Sequence, residues 1–95
     1  MNAEEAAVVA ERERGPRNVP EAAERRPAEP RWIEVAERDG DGPWRVRDAL
    51  VWVVRFVVRM AWIDLLVADA TGQVVRVDKS RGYVLRHDGP PPERP

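Results

Sequence analysis

Among the side chains of this chain that could bind a ligand or take part in a reaction, the arginines form the clearest pattern. Four of them share odd-numbered positions around the longest apolar run: Arg45, Arg47, Arg55 and Arg59. Because alternate residues of a strand share one face of a sheet, these side chains are predicted to lie on one face, close to Trp44. Guanidinium groups beside an aromatic ring can contact phosphates and stack on bases, or they can meet a protein partner. A third interpretation is a solvated face, on which Glu34, Glu37 and Asp78 pair with the arginines.

The sequence offers few residues for nucleophilic catalysis or for metal binding. The chain has no cysteine and one histidine, which excludes disulfides, zinc ribbons and thiol catalysis. Ser80 lacks the Gly-x-Ser-x-Gly context of hydrolases, and His87 is its only candidate base. Four aspartates could be imagined as a metal cluster, although turns favour aspartate in any case: Asp64, Asp69, Asp78 and Asp88. We therefore expect a protein that is not an enzyme and that binds no cofactor, metal or small-molecule substrate.

The length and the charge of the chain further limit the classes of protein to which it could belong. The chain has 95 residues, a net charge of -1, 43% hydrophobic and 35% charged residues. This is enough for one small domain, and a nearly neutral chain has no overall field that would recruit nucleic acid or an anionic membrane. The acidic start, without an apolar h-region, argues against a secretory signal. We expect a cytoplasmic protein.

Prolines and aromatic residues separate along the chain and mark its folded part. Of the nine prolines only Pro43 lies between residues 31 and 88, whereas every Trp, Phe and Tyr lies there. Sheets exclude proline from their interiors, and aromatic side chains supply much of the buried area. The distribution predicts a β domain over residues 31–88, a flexible, partly helical tail over residues 1–30 and a disordered Pro-rich tail over residues 89–95.

The first tail has local helix signals. Residues 3–14 combine alanine with acids in the first turn and arginines in the last, and Gly15-Pro16 is a stop signal. A second short helical turn is predicted after Pro20. Both segments have mostly alanine to bury, which favours a solvated leader or a docking helix for a partner.

The apolar run over residues 50–68 is predicted to be strand rather than membrane span. Arg55, Arg59 and Asp64 each cost up to about 2.5–3.5 kcal/mol near the centre of a bilayer, which offsets the gain from the apolar residues. From Trp44 onward the even positions are mostly apolar, as expected of a half-buried strand. For residues 48–53 both a strand and one helical turn remain open.

Further predicted strands complete the fold. They cover residues 32–37, 62–68, 73–78 and 83–86, and Gly- and Asp-rich turns separate them. Strands at this spacing predict a mainly β protein: a small, strongly bent antiparallel sheet or open barrel of about five strands, with a short N-terminal helix.

The long strand is apolar on both faces and needs two covers. One face carries Trp52, Val54 and Phe56, and the other carries three valines: Val51, Val53 and Val57. The second cover could be the N-terminal helix through its valines, or a two-fold dimer. We favour the homodimer, with these three valines as its face.

Three fragments in order, Gly42–Val46, Asp64–Gly72 and Arg81–Asp88, resemble a known family. The chain is similar to the small C-terminal β segment of actinobacterial Y-family-polymerase-like mutasome proteins and to related stand-alone domains of unknown function. Tyr83 stands where that family has tryptophan, and His87 stands where it has tyrosine. The resemblance implies a bacterial accessory module in translesion synthesis or DNA repair, with no catalytic residues.

Taken together, the sequence favours a non-catalytic protein-interaction module. One alternative is a single-stranded nucleic-acid-binding domain that uses the Arg/Trp face, and another is a structural protein with no ligand site.

Overall fold

One helix and five strands form the part of the chain, residues 1–80, that this computed structural model describes. The elements are α1 (Ala3–Glu13), β1 (Glu24–Arg25), β2 (Glu29–Glu37), β3 (Arg45–Val58), β4 (Ala61–Ala68) and β5 (Val74–Lys79). All strand pairs are antiparallel, in the order β1-β3-β4-β5, and β2 also pairs with β3. The predicted mainly β fold is confirmed as an open five-stranded sheet with one N-terminal helix. The predicted strand over residues 83–86 and the tail over residues 89–95 lie outside the described residues.

Strand β3 is the centre of the sheet. It runs for fourteen residues without a break, so residues 48–53 are strand and not a helical turn. Both β1 and β2 pair along one edge of β3, and β4 pairs along the other edge from Val51 to Val58 only. Residues 45–50 therefore pair with β2 alone, and the hairpin of residues 31–50 extends beyond the body of the sheet. We call this hairpin the arm.

Helix α1 covers one face of the sheet body. Asn2 and Glu5 form a capping box at its start, which fixes where the helix begins. Ala6 and Ala10 are fully buried against Val54 and Phe56 of β3. Small side chains let a helix backbone approach a sheet closely, so alanines that bury little area each still hold α1 in place.

The hydrophobic core includes residues that precede the predicted boundary at residue 31. Val19 and Ala23, well before it, are buried in the same core as α1. The segment after Pro20 forms a turn that leads into β1, where a second helical turn was predicted. Arg14 explains the difference, because its guanidinium donates to the carbonyls of Pro20 (2.8 Å) and Ala23 (3.0 Å). It also lies 4.7 Å from the Phe56 ring centroid, so it anchors this segment to the core.

The opposite face of the sheet carries a second cluster. Val51, Val53 and Leu66 are buried there, and Ile33 packs against them. Helix α1 does not cover this face, and its Val8 is 66% exposed. The alternative in which the helix acts as the second cover is thus not what the structure shows.

Candidate interaction surface

The arm exposes large hydrophobic side chains. Trp32, Trp44 and Val46 are 67%, 64% and 66% exposed. In the β2–β3 register Trp32 lies opposite Leu50 and Ala36 lies opposite Val46. These four residues share the sheet face that, further along β3, is buried beneath α1. We call this set, Trp32, Ala36, Val46 and Leu50, the arm's apolar face.

Element lengths explain why this face stays uncovered. Helix α1 has eleven residues, which corresponds to a length of about 16 Å. Strand β3 has fourteen residues, which corresponds to about 46 Å. One helix of this length can shield only the body of the sheet, and no other element of residues 1–80 covers the apolar side of the strand along the arm.

Two carboxylates interrupt the apolar face. Glu34 and Asp48 are direct cross-strand partners, and both are exposed. Neither belongs to any of the ion pairs found within residues 1–80. Like charges placed directly opposite each other destabilise a strand pair. The arm therefore combines exposed hydrophobic area with two carboxylates that form no ion pair within residues 1–80.

The arm also carries unpaired strand edges. Within residues 1–80, β2 pairs with β3 along one edge and with no strand along its other edge. Residues 45–49 of β3 likewise have no strand on the side away from β2. Such edges present main-chain N–H and C=O groups in a row, which is a template for an added strand.

The predicted arginine site is divided among three places. Arg45 and Arg47 lie on the arm, on the face opposite its apolar face, where they approach Asp39 at 3.7 Å and Glu37 at 2.8 Å. Arg55 lies about 26 Å further along β3, at 3.3 Å per residue. Arg59 is not in a strand at all, since it occupies the turn to β4 with a φ of 55°.

Trp44 is the fifth member of the predicted site, and it does not join the arginines of β3. It lies under Arg38, whose guanidinium carbon is 5.0 Å from the ring centroid. The two residues flank the turn at the tip of the arm. Their stacking leaves most of the indole exposed at the point furthest from the body of the sheet.

Arg55 is held by an internal ion pair. Its guanidinium donates two hydrogen bonds to Asp64, of 2.7 and 2.9 Å, and Asp64 is only 2% exposed. The hydrogen bond to Asp64 is the main reason why the pKa of Arg55 is raised. Trp62 stacks on the same guanidinium at 4.1 Å, although the parity of the sequence predicts it on the other face. The two-residue turn at Arg59 pairs Trp62 with an odd-numbered residue and so reverses the parity.

Two arginines that sequence reasoning missed lie beside Arg55. Arg26 donates its backbone N–H to the Arg55 carbonyl at 2.7 Å, and Arg31 lies on the same face of β2. They line an open cleft of about 290 Å³ with Pro27, Glu29, Val53 and Arg55. Arg26 was missed because it falls in the segment predicted to be a tail. Arg31 could have been found from its odd-numbered position, because alternate residues of a strand share a face and Arg31 therefore lies on the same face of β2 as Ile33 and Val35.

The remaining candidate side chains have structural contacts. The Ser80 hydroxyl accepts a hydrogen bond from the Trp62 backbone N–H at 3.0 Å, and His87 lies outside the described residues. Asp69 accepts a hydrogen bond from the Trp52 indole N–H at 2.9 Å, which lowers the pKa of this carboxyl. Residues 1–80 contain no group of three or more acidic or histidine side chains placed to hold a metal ion.

The three valines of the predicted dimer face have unequal exposure. Val51 and Val53 are only 1% and 6% exposed within one chain, and Val57 is half-buried. Val57 is thus the member with surface left for a partner. Dimerisation through this face stays a prediction.

Comparisons with known proteins identified no relative of this chain. A scan against protein-family models, a search of curated proteins and a search of solved structures found no match to this chain. The resemblance to the mutasome-associated segment stays a prediction. Within residues 1–80, no helix is both long and apolar enough to cross a membrane.

Proposed function

We propose that this chain is a non-catalytic protein-interaction module that binds its partner with the arm. One observation carries the proposal: the apolar core face of the sheet continues onto a projecting hairpin, where Trp32 and Val46 are about two-thirds exposed. Exposed hydrophobic side chains grouped on one surface are characteristic of a binding site, and aromatic residues are enriched among those that dominate binding energy.

The wider setting that we propose is an accessory role in a bacterial cytoplasm, in DNA repair or translesion synthesis. Its support is the motif resemblance over Gly42–Val46 and Asp64–Gly72. The first of these fragments includes Trp44 at the tip of the arm, so the resembling residues and the proposed binding surface coincide in part.

The test compares the full chain with the double variant Trp32→Ser/Val46→Ser. Each is used to capture proteins from cells of the source organism, and each captured protein is then purified and titrated against both chains by calorimetry. We expect the double variant to bind at least tenfold more weakly. Val75→Ser is the matched control, because Val75 is 52% exposed but lies on β5, away from the arm. Equal affinities of parent and double variant would contradict the proposal.

A second candidate function is single-stranded nucleic-acid binding, and the arginine cleft is the observation that favours it. Arg26 and Arg31 are exposed there beside Arg55 and its stacked Trp62. Tryptophan fluorescence titration with an oligothymidylate at two salt concentrations tests this function. Quenching that weakens steeply with salt, and that is lost in Arg26→Ala/Arg31→Ala, supports it. No response at low salt leaves the protein-interaction proposal.

A third possibility is a structural protein without a ligand site. It would be favoured if neither the arm variant nor the cleft variant changed any binding measured in these experiments.

A further inference from the structure

We propose that the partner adds an extended, basic segment as a new strand along the outer edge of β2. This inference rests on the proposed function, because it specifies the chemistry of the partner that the arm binds. It draws on three features of the arm within residues 1–80: an edge of β2 that pairs with no strand, an exposed apolar face and two carboxylates that form no ion pair.

The main chain of β2 offers hydrogen-bonding groups to an added strand. Strand addition derives its affinity from main-chain hydrogen bonds along a free edge, and side chains at alternate positions provide selectivity. Strand β2 has nine residues, most of them exposed, with Pro30 near its start. Proline lacks an N–H group, so the usable edge runs from Arg31 to Glu37. The other free edge of the arm within residues 1–80, residues 45–49, is shorter and offers fewer main-chain hydrogen-bonding groups to an added strand.

Side chains on the apolar face define the added strand. A residue directly opposite Glu34 would lie beside that carboxylate and about two strand spacings, roughly 9.6 Å, from Asp48. A lysine or arginine at this point compensates the two like charges. The positions two residues to either side would face Trp32 and Ala36 and would be apolar. The recognised pattern is thus apolar, any residue, basic, any residue, apolar.

A second copy of the chain fits this edge poorly. Pairing β2 with its own symmetry mate about an axis near Glu34 places two glutamates directly opposite each other, with Asp48 of each copy behind them. Four carboxylates would then share one apolar face, and like charges directly opposite destabilise a sheet. Charge complementarity therefore favours a different, basic chain.

The probe is the peptide Gly-Ser-Thr-Val-Thr-Arg-Thr-Val-Thr-Ser-Gly, which presents Val, Arg and Val on one face of a strand. Its control has Glu in place of Arg. Binding to the full ¹⁵N-labelled chain is followed by chemical shifts and by amide hydrogen exchange. We expect the Arg peptide to bind at least tenfold more tightly than the Glu peptide. Exchange should slow at alternate residues between Arg31 and Glu37, whose N–H groups face the added strand.

A charge exchange makes the test specific to the proposed contact. In Glu34→Lys/Asp48→Asn the preference should reverse, so that the Glu peptide binds more tightly than the Arg peptide. Both substituted residues are exposed, and circular dichroism checks that the fold is retained. Glu21→Lys/Glu4→Gln, at exposed positions outside the arm, matches this change in total charge and should keep the parent's preference.

The outcomes separate this inference from the proposed function. Equal binding of the two peptides overturns the inference, as does binding without slowed exchange along β2. If neither peptide binds but Trp32→Ser/Val46→Ser still loses a captured partner, strand addition by a basic segment is overturned and the proposed function stands. If that variant also retains every partner, both fail.

Discussion

The ion pair between Arg55 and Asp64 allows the sharpest test of how this fold is held together. Asp64 is 2% exposed, whereas Arg55 is 42% exposed, so the carboxylate depends on the arginine for its compensation. Replacing Arg55 by Met keeps the length and the apolar stem of the side chain but leaves the buried carboxylate without its partner. Removing one member of a fully buried pair costs about 3–5 kcal/mol.

Two corrections to this value give the loss of unfolding free energy expected for Arg55→Met. Water reaches the exposed part of the guanidinium site and screens the remaining carboxylate, which lowers the cost to about 2–3 kcal/mol. Loss of the stacking on Trp62, at 4.1 Å, adds about 0.5–1 kcal/mol. Small domains have unfolding free energies that begin at about 5 kcal/mol, so Arg55→Met should lose about half of the stability or more.

The double variant Arg55→Met/Asp64→Leu tests whether the uncompensated carboxylate of Asp64 causes the loss of stability. It removes both charges together, and apolar replacement of both partners can be nearly neutral. We expect it to lie within about 1 kcal/mol of the parent. Arg76→Met is the matched control, because its pair with Asp78 at 3.1 Å is exposed at both ends and should be worth under about 1 kcal/mol.

Urea unfolding, followed by tryptophan fluorescence and circular dichroism, gives the unfolding free energies of the parent and of these three variants. A loss of less than about 0.5 kcal/mol in Arg55→Met, the size of an ordinary surface substitution, would show that the buried carboxylate does not depend on Arg55. A double variant as unstable as Arg55→Met alone would contradict this dependence as well. In that case the loss would come from packing or stacking and not from an uncompensated carboxylate.

Three further predictions concern the turn, the carboxylates and self-association. Arg59→Gly should raise the unfolding free energy by about 0.5–1 kcal/mol in urea titrations, because a φ of 55° costs glycine little, and no change would contradict the strain. The pKa of Glu11 is lowered mainly by a hydrogen bond from an arginine, and that of Asp69 mainly by one from a tryptophan N–H. Since depressed folded-state pKa values mean that the unfolded chain takes up protons first, the urea midpoint should fall as the pH drops below about 4.5, and a flat midpoint would refute this. For the predicted dimer, sedimentation should show a parent dimer that Val53→Thr/Val57→Thr dissociates with the fold retained, whereas a monomeric parent at high micromolar concentration excludes it.

The sheet and its helix could be predicted from the sequence because their signals are local. Alternation from Trp44 onward identifies β3 and assigns its residues to two faces, since successive strand side chains point to opposite sides. Acids in the first turn of residues 3–14, arginines in the last turn and the Gly15-Pro16 stop signal identify α1 in the same way. Each signal lies within one element and needs no knowledge of its neighbours.

The candidate surfaces could be predicted only in part. The sequence groups Arg45, Arg47 and Arg55 on one face of β3, and they do share its odd positions. The sequence does not show that Asp64 forms an ion pair with Arg55 or that Arg26 lies beside Arg55. Those contacts join residues from different strands, and they depend on register and not on spacing along one strand.

Only the tertiary structure decided which apolar residues are covered. Val54 and Trp32 lie on the same face of the sheet, yet one is fully buried and the other is 67% exposed. Their difference comes from the reach of α1, which is much shorter than the strand it packs against. The register of β2 against β3 places Glu34 opposite Asp48, and neither carboxylate forms an ion pair within residues 1–80. Strand register and helix placement are set by the summed energy of contacts distant in sequence, which no local pattern contains.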